Sequence, residues 1–277
     1  MRFGAHHEWG ALREAVVGVA PADDAEAGRQ VEALAERLAR ERVTVHRPER
    51  RPDARPDLLQ LFPRDPAIVA GDHLVEASLR LAARRAEHFG LRPILRRLAE
   101  QRGVRWVAVP PGDPNEVDGP YLEGGDVLLN GREVYVGMSG RASDLAGADW
   151  LQALLGARHR VIAVAMRSSV RHLEDCLALL APGLLAWCPE RLVDGLPMAV
   201  RGWDKIALPA DEADALATHA LVLEPGRMVV ARGNVRLGDE LRRRGIDVIP
   251  LPFDAVVRRG GGLLSAHQPL LRESAPG

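Results

Sequence analysis

Cysteine is almost missing from this 277-residue chain: Cys176 and Cys188 are the only two, and both sit in apolar stretches. Such a pair builds no disulfide framework, and a reducing compartment leaves both as thiols. A block of like charge is missing too, because 37 Lys and Arg are scattered among 38 Asp and Glu for a formal net charge of -1. That balance lacks the basic footprint of a nucleic-acid binder. No segment reaches the roughly 18 uninterrupted apolar residues of a membrane span. The opening Met-Arg-Phe-Gly-Ala-His-His-Glu-Trp-Gly also lacks the apolar run of a secretory signal. A cytoplasmic location is therefore expected, with neither nucleic acid nor membrane as partner. With no Pro/Gly/Ser-rich linker to divide it, the sequence reads as one domain over 1–277, and 47% hydrophobic residues suffice for a substantial core.

What the sequence does contain is a repeat. Two short apolar runs joined by a tight turn recur at Ala67 to Ala77 around Gly71, Asp126 to Met138 around Asn130-Gly131, Leu177 to Cys188 around Pro182-Gly183, and Ala220 to Ala231 around Pro225-Gly226. Each predicts a β-hairpin, and Asn-Gly is the strongest of the turn signals. Most are followed by a helix-like stretch and a third apolar run. The fullest example has Ser143 to Leu155, helical by its Leu145, Trp150, Leu151, Leu154 spacing, and then Val161 to Val164. The other third runs are Val104 to Val109, Ile206 to Pro209 and Val248 to Leu251. The two ends supply a fifth unit: Leu12 to Gly18, a helix carrying Val31, Leu34, Ala35 and Leu38, then Val43 to Val45, with Gly260 to His267 as the hairpin partner. Five ββαβ units closed end to end form a ring with a central cavity. A doubly wound sheet also fits alternating strands and helices, but recurring hairpins suit the ring better. Pro110 to Pro120 reads as a functional surface loop.

Four polar segments fall at hairpin edges, where a central cavity collects them. Arg64-Asp65 precedes an apolar strand and reads either as a surface ion pair or as part of a site. Glu123-Gly124-Gly125-Asp126 places two carboxylates around a Gly-Gly pair that allows close backbone approach, against the alternative of a solvated turn. Arg171-His172-Leu173-Glu174-Asp175-Cys176 puts His172 near possible metal ligands if helical, although an isolated His of this kind is usually structural. Gly260-Gly261-Gly262 before Ser265 can present a nucleophile, yet glycine-rich turns are common.

Together these segments resemble the dimethylarginine dimethylaminohydrolases and, more broadly, the arginine deiminases and glycine amidinotransferases. The resemblance runs from Glu8-Trp9-Gly10 and Leu12 to Gly18 through Arg64-Asp65, Ala83-Arg84-Arg85-Ala86-Glu87, Glu123 to Val127, Val136-Gly137-Met138-Ser139-Gly140-Arg141 and His172-Leu173 to Gly261-Gly262 before Ser265. It implies an α/β-propeller of the pentein type, with five pseudo-symmetric units around a central cavity. It further implies that Asp65 and Glu123 bind guanidinium nitrogens, that His172 is the general acid/base, that Arg85 and Arg141 hold the substrate's carboxylate end, and that Asp126 supports or joins the clamp. Planar cations favour carboxylates around their edge, so the chemistry is consistent. No metal or cofactor is implied. The partner is a small guanidino ligand, and a homodimer is the assembly left open.

Three departures from the resemblance stand out: Ser265 falls where these families keep a nucleophilic cysteine, Arg64 where the dimethylargininases have an acid, and Glu174 where deiminases have a shorter Asp. A thiol ionises near neutral pH beside a cation, whereas a hydroxyl needs a base within hydrogen-bond reach, for which His172 and His267 are the candidates. The catalytic set is thus Ser265, His172 and Glu123. The functional expectation is a guanidino-compound hydrolase or amidinotransferase; the alternatives are an inactive guanidino-ligand binder or a variant whose original cysteine was replaced by serine.

Overall fold

The computed structural model describes residues 3–50, 60–112 and 119–273, so the core of the surface loop expected at Pro110 to Pro120 lies outside the described residues. The chain opens with strand β1 (Ala11–Val17), helix α1 (Ala25–Arg40) and strand β2 (Thr44–His46), which runs parallel to β1. Next, β3 (Ala67–Ala70) and β4 (His73–Glu76) form an antiparallel hairpin, and after α2 (Arg92–Arg102) strand β5 (Arg105–Ala108) joins β4 in parallel. The same plan repeats with β6 (Val127–Asn130), β7 (Glu133–Met138), α3 (Leu145–Leu155) and β8 (Arg160–Ala165). It repeats again with β9 (Leu177–Ala181), β10 (Leu184–Trp187) and β11 (Asp204–Ala207), where short 3-10 turns replace the helix. After α4 (Ala210–Asp214) come β12 (Leu221–Glu224), β13 (Arg227–Ala231), α5 (Val235–Arg243) and β14 (Asp247–Leu251). Helix α6 (Asp254–Val257) then leads to β15 (His267–Glu273).

The described residues form five separate three-stranded sheets. Strand β15 pairs antiparallel with β1, Val17 opposite His267 and Leu12 opposite Arg272, and completes the fifth sheet from the two ends of the chain. This corrects one boundary: the hairpin partner is His267–Glu273, whereas Gly260 to Leu264 forms the turn before it. All four internal hairpins turn on a glycine in the left-handed region, Gly71 (φ +60°), Gly131 (+64°), Gly183 (+80°) and Gly226 (+85°), a conformation costly for residues with a Cβ.

Burial explains the ring. Strands β3, β6, β9, β12 and β15 are edge strands of their sheets and yet almost wholly buried, while the third strands β5, β8, β11 and β14 are half-exposed. A buried edge must be covered by neighbouring blades, and β1 packs against β12, β15 against β3, and β6 against β9. The helices lie outside, α1 on β2, α2 on β5, α3 on β8 and α5 on β14. Helix α1 shows how the sequence directs this: Asp24 caps its first turn by accepting from the Ala27 N–H at 3.0 Å, and Val31, Leu34, Ala35 and Leu38 form its buried stripe. Among the described residues no helix is long and apolar enough to cross a membrane.

One cap ties the frame to the axis. The Asp144 carboxylate caps α3 through the Gly147 N–H (2.9 Å) and also accepts from the N–H groups of Gly119 (2.8 Å) and Tyr121 (3.1 Å), fixing the segment that leads into Glu123. Asp144→Ala removes a cap and leaves two further donors without that acceptor. The expected loss is about 2 to 4 kcal/mol in urea unfolding, more than a cap alone. A loss below about 1 kcal/mol would show that this carboxylate does not hold the segment.

Candidate active site

In each blade a short turn feeds the inner strand, and each turn carries polar residues. Arg64 and Asp65 precede β3, Glu123 precedes β6, His172 and Glu174 precede β9, His219 precedes β12 and Ser265 precedes β15. All seven side chains are buried, so the closed ring gathers them at its axis. Asp65, His172 and Glu174 each present an atom within 4.8 Å of the other two.

His172 is the centre of this group. Its Nε2 lies 2.9 Å from Glu123 Oε2 and its Nδ1 3.7 Å from Asp65 Oδ1. Burial alone would depress its pKa, but the charges of Asp65, Glu123 and Asp126 outweigh that and hold the imidazole protonated well above the ordinary histidine range. Asp65 is held low in turn: burial raises it, and His172 and Arg84 overcome that. Its Oδ2 accepts from Arg84 Nη2 at 2.8 Å, whereas its buried Oδ1 has no hydrogen-bond partner among the described residues. Glycine makes the close approach feasible, because a Cβ on Gly125 would lie 2.7 Å from the His172 ring and 2.9 Å from Asp65 Oδ1.

A second group adjoins the first. The Ser265 hydroxyl donates to Glu174 Oε1 at 2.6 Å, and Glu174 Oε2 lies 2.7 Å from Arg64 Nε. Burial pushes the Glu174 pKa up against the opposing charges of His219 and Arg64. His219, absent from the sequence expectations, is bonded through Nε2 to Asp175 Oδ1 at 3.0 Å, with its Nδ1 4.0 Å from Glu174 Oε1. Its signal was positional: it stands just before the first apolar run of its hairpin, as Asp65 and Glu123 do in theirs.

Neither expected histidine accepts from the Ser265 hydroxyl, which donates to Glu174; the His267 Nδ1–H donates to Leu263 O (2.8 Å), and burial and the nearby Arg272 push the His267 pKa down to about 3. Glu123 orients His172 and accepts from the Arg80 N–H (3.0 Å), leaving the open carboxylate oxygen to Asp65. Asp126 supports its neighbours: its two oxygens accept backbone N–H groups of Leu173 and Ser143, both at 3.0 Å, and so fix the turn bearing His172. Burial raises its pKa to about 7. Arg85 is turned toward Leu79 O, Arg80 O and the Tyr121 hydroxyl, while its neighbour Arg84 enters the carboxylate group, bonded to Glu87 and Asp65. Arg141 is exposed, with one long contact to Ser168 O. The thiols of Cys176 and Cys188 are buried and unpaired, and burial holds Cys176 well above the usual thiol pKa.

The family model described as arginine deiminase matches residues 32–185, more than half of the chain. The chain belongs to the arginine deiminase family. Across its whole length this pentein is also similar to amidinotransferases. It is 29% identical to a putative inosamine-phosphate amidinotransferase 2 of Streptomyces griseus, over 94% of this chain and 93% of that one. Its fold matches SxtG, an amidinotransferase of the saxitoxin biosynthetic pathway from Microseira wollei, with a TM-score of 0.87 at 21% identity over 99% of this chain and 98% of that one. A dimethylarginine dimethylaminohydrolase from Pseudomonas aeruginosa, solved as a cysteine-to-serine mutant with citrulline, matches with a TM-score of 0.73 at 21% identity over 93% and 98% of the two chains.

Because the folded pKa of His172 lies above its unfolded value of about 6.5, the stability its charge adds to this pentein is fully present below about pH 6.5 and is lost as pH rises through the folded value. By NMR the ring should remain imidazolium at pH 7, and Glu123→Gln should lower its pKa. Titration near 6.5 in the unaltered protein would mean that the two carboxylates do not hold it charged.

Proposed function

We propose that this pentein acts at the guanidinium carbon of a small guanidino compound and passes the amidino group, through a covalent bond to Ser265, to an amine. Hydrolysis is the competing outcome when water takes the acceptor's place. The observation that carries the proposal is an open carboxylate oxygen at the axis. Asp65, held ionised by His172 and Arg84, keeps its buried Oδ1 without a donor among the described residues, beside the His172 imidazolium. A planar cation offering N–H groups answers that acceptor. The closeness in fold and length to amidinotransferases supports transfer over hydrolysis.

In this scheme the Ser265 oxygen attacks the guanidinium carbon while Asp65 holds an N–H of the substrate. His172, protonated and oriented by Glu123, gives its Nδ1 proton to the departing nitrogen. An acceptor amine then attacks the amidino carbon and returns a proton to His172. The carboxylate-holding roles assigned to Arg85 and Arg141 need both side chains to leave their present partners when substrate binds.

A second reading, a guanidino-ligand binder without turnover, is favoured by one feature: a serine hydroxyl stands where the resemblance places a thiol. The two separate experimentally. Ser265→Cys should raise release of an amine from arginine-like donors, or transfer to hydroxylamine as acceptor, by about 100-fold or more, because a thiol beside a cation ionises near neutral pH. His172→Ala in that background should abolish the activity. A folded Ser265→Cys protein that binds arginine yet forms no product would leave the binder.

Binding has its own test. Asp65→Asn should weaken affinity for guanidino ligands by about 2 to 5 kcal/mol in calorimetry, the scale for breaking a desolvated charge pair. Unchanged affinity for every such ligand would remove Asp65 from the site.

A further inference from the structure

Two of the departures noted in the sequence, Glu174 and Ser265, come from different blades and meet in a single hydrogen bond of 2.6 Å. The donor is the serine hydroxyl and the acceptor is a carboxylate that is wholly buried. A hydroxyl needs what a thiol does not, a base in contact, and the shorter Asp of the deiminases lacks one methylene of the reach that Glu174 uses here. Beyond that carboxylate stands His219, its Nε2 fixed by Asp175 and its buried Nδ1 without a hydrogen-bond partner among the described residues, 4.0 Å from the same Oε1 that accepts from Ser265. Gly262, in the turn that presents Ser265, has no room for a Cβ because one would lie 2.7 Å from His219 Nδ1. Three blades therefore converge on one oxygen atom.

We propose that Glu174 is the general base that activates Ser265, and that His219, held by Asp175, positions and polarises that carboxylate. The inference rests on Ser265 being the nucleophile. As Ser265 Oγ forms its bond to the guanidinium carbon, its proton passes to Glu174 Oε1 and a neutral tetrahedral adduct results. The bond from that carbon to the departing nitrogen then breaks as His172 protonates the nitrogen, leaving a cationic O-amidino serine, a neutral His172 and a protonated Glu174. When the acceptor amine attacks, its proton goes to His172, the C–O bond breaks, and Ser265 Oγ recovers its proton from Glu174. Every group ends in its starting state. Two acid/base residues thus divide the work: Glu174 serves the nucleophile's oxygen and His172 serves the nitrogens.

Cyanamide is a suitable probe, because addition of a hydroxyl to its nitrile carbon yields an O-amidino group directly, with no leaving group and no need to know the natural donor. Peptide mass spectrometry of the full chain should find one cyanamide mass on Ser265. Glu174→Gln should form that adduct about 100-fold more slowly or worse, in line with the loss of a general base. Ser265→Cys in the Glu174→Gln background should restore labelling at position 265, since a thiolate dispenses with the base; this also shows that loss of the Arg64 partner has not unfolded the site. Glu174 is faced by Arg64, His219, Asp65, His172 and Ser265. Because His219 acts to lower the Glu174 pKa, His219→Asn should move the acid limb of the labelling profile to higher pH, a shift that a purely structural role would not produce. Glu174→Gln labelling at the unaltered rate, or an unmoved acid limb in His219→Asn, would overturn the respective assignment. If the unaltered protein stays unlabelled while Ser265→Cys reacts, Glu174 is not a base although the amidino site stands. If both stay unlabelled while folded, the nucleophilic reading of position 265 falls together with this one.

Discussion

Everything at the axis depends on the pairing of β15 with β1. Each of the other sheets is built from a contiguous stretch of chain, but this one joins residues near opposite ends of the sequence. The pairing sets the height of the turn that carries Ser265: Gly18 N–H donates to Ala266 O at 3.0 Å, and Arg64 N–H lies 3.4 Å from Ser265 O, so the last turn is stitched to the first inner one by backbone as well as side chains. Local hairpins fold from nearby residues, whereas this sheet must close a loop spanning almost the whole chain. The contact of Ser265 with Glu174 depends on that closure.

The buried charges at the axis are tolerable because each has an answer. Two buried histidines illustrate the rule. His172, ringed by Asp65, Glu123 and Asp126, is held as a cation. His267, between Arg272 and Arg64 and bonded to a carbonyl, is held neutral. Burial disfavours the charged form of both, and the sign of the neighbours decides the outcome. Arg84 is fixed in the same way, its guanidinium bonded to Glu87 through two contacts of 2.8 Å and to Asp65 through a third. An internal guanidinium thus already shares the carboxylates on which a ligand guanidinium would draw, and it leaves one oxygen of Asp65 open.

Much of the fold was legible in the sequence because a hairpin is a local event. Apolar runs around Gly71, Gly131, Gly183 and Gly226 announced four blades, and the pairing of the termini followed from counting an odd strand at each end. The site was legible as positions and less so as contacts. Asp65, Glu123, His172 and Ser265 do gather at the axis, but nothing local distinguishes Arg84 from Arg85, since one step along a tight turn decides which guanidinium points inward. Asp126 looked like Glu123 because both flank the same glycines; only the fold shows its oxygens taken by the backbone of two other turns. The contacts of His219 with Asp175 and of Glu174 with Ser265 were hidden because they join different blades.

The placement of one polar turn ahead of each inner strand separates two tasks that most catalytic sites combine. The strands carry the ladders and the apolar contacts, and the turns carry the chemistry. A residue exchanged in a turn alters the polar axis without breaking a strand pair, so Asp65, Glu123, the His172 and Glu174 turn, and Ser265 can each be changed from a different blade while the frame is inherited unchanged. On such a frame, novelty arises by recombining five short words rather than by rewriting the sentence.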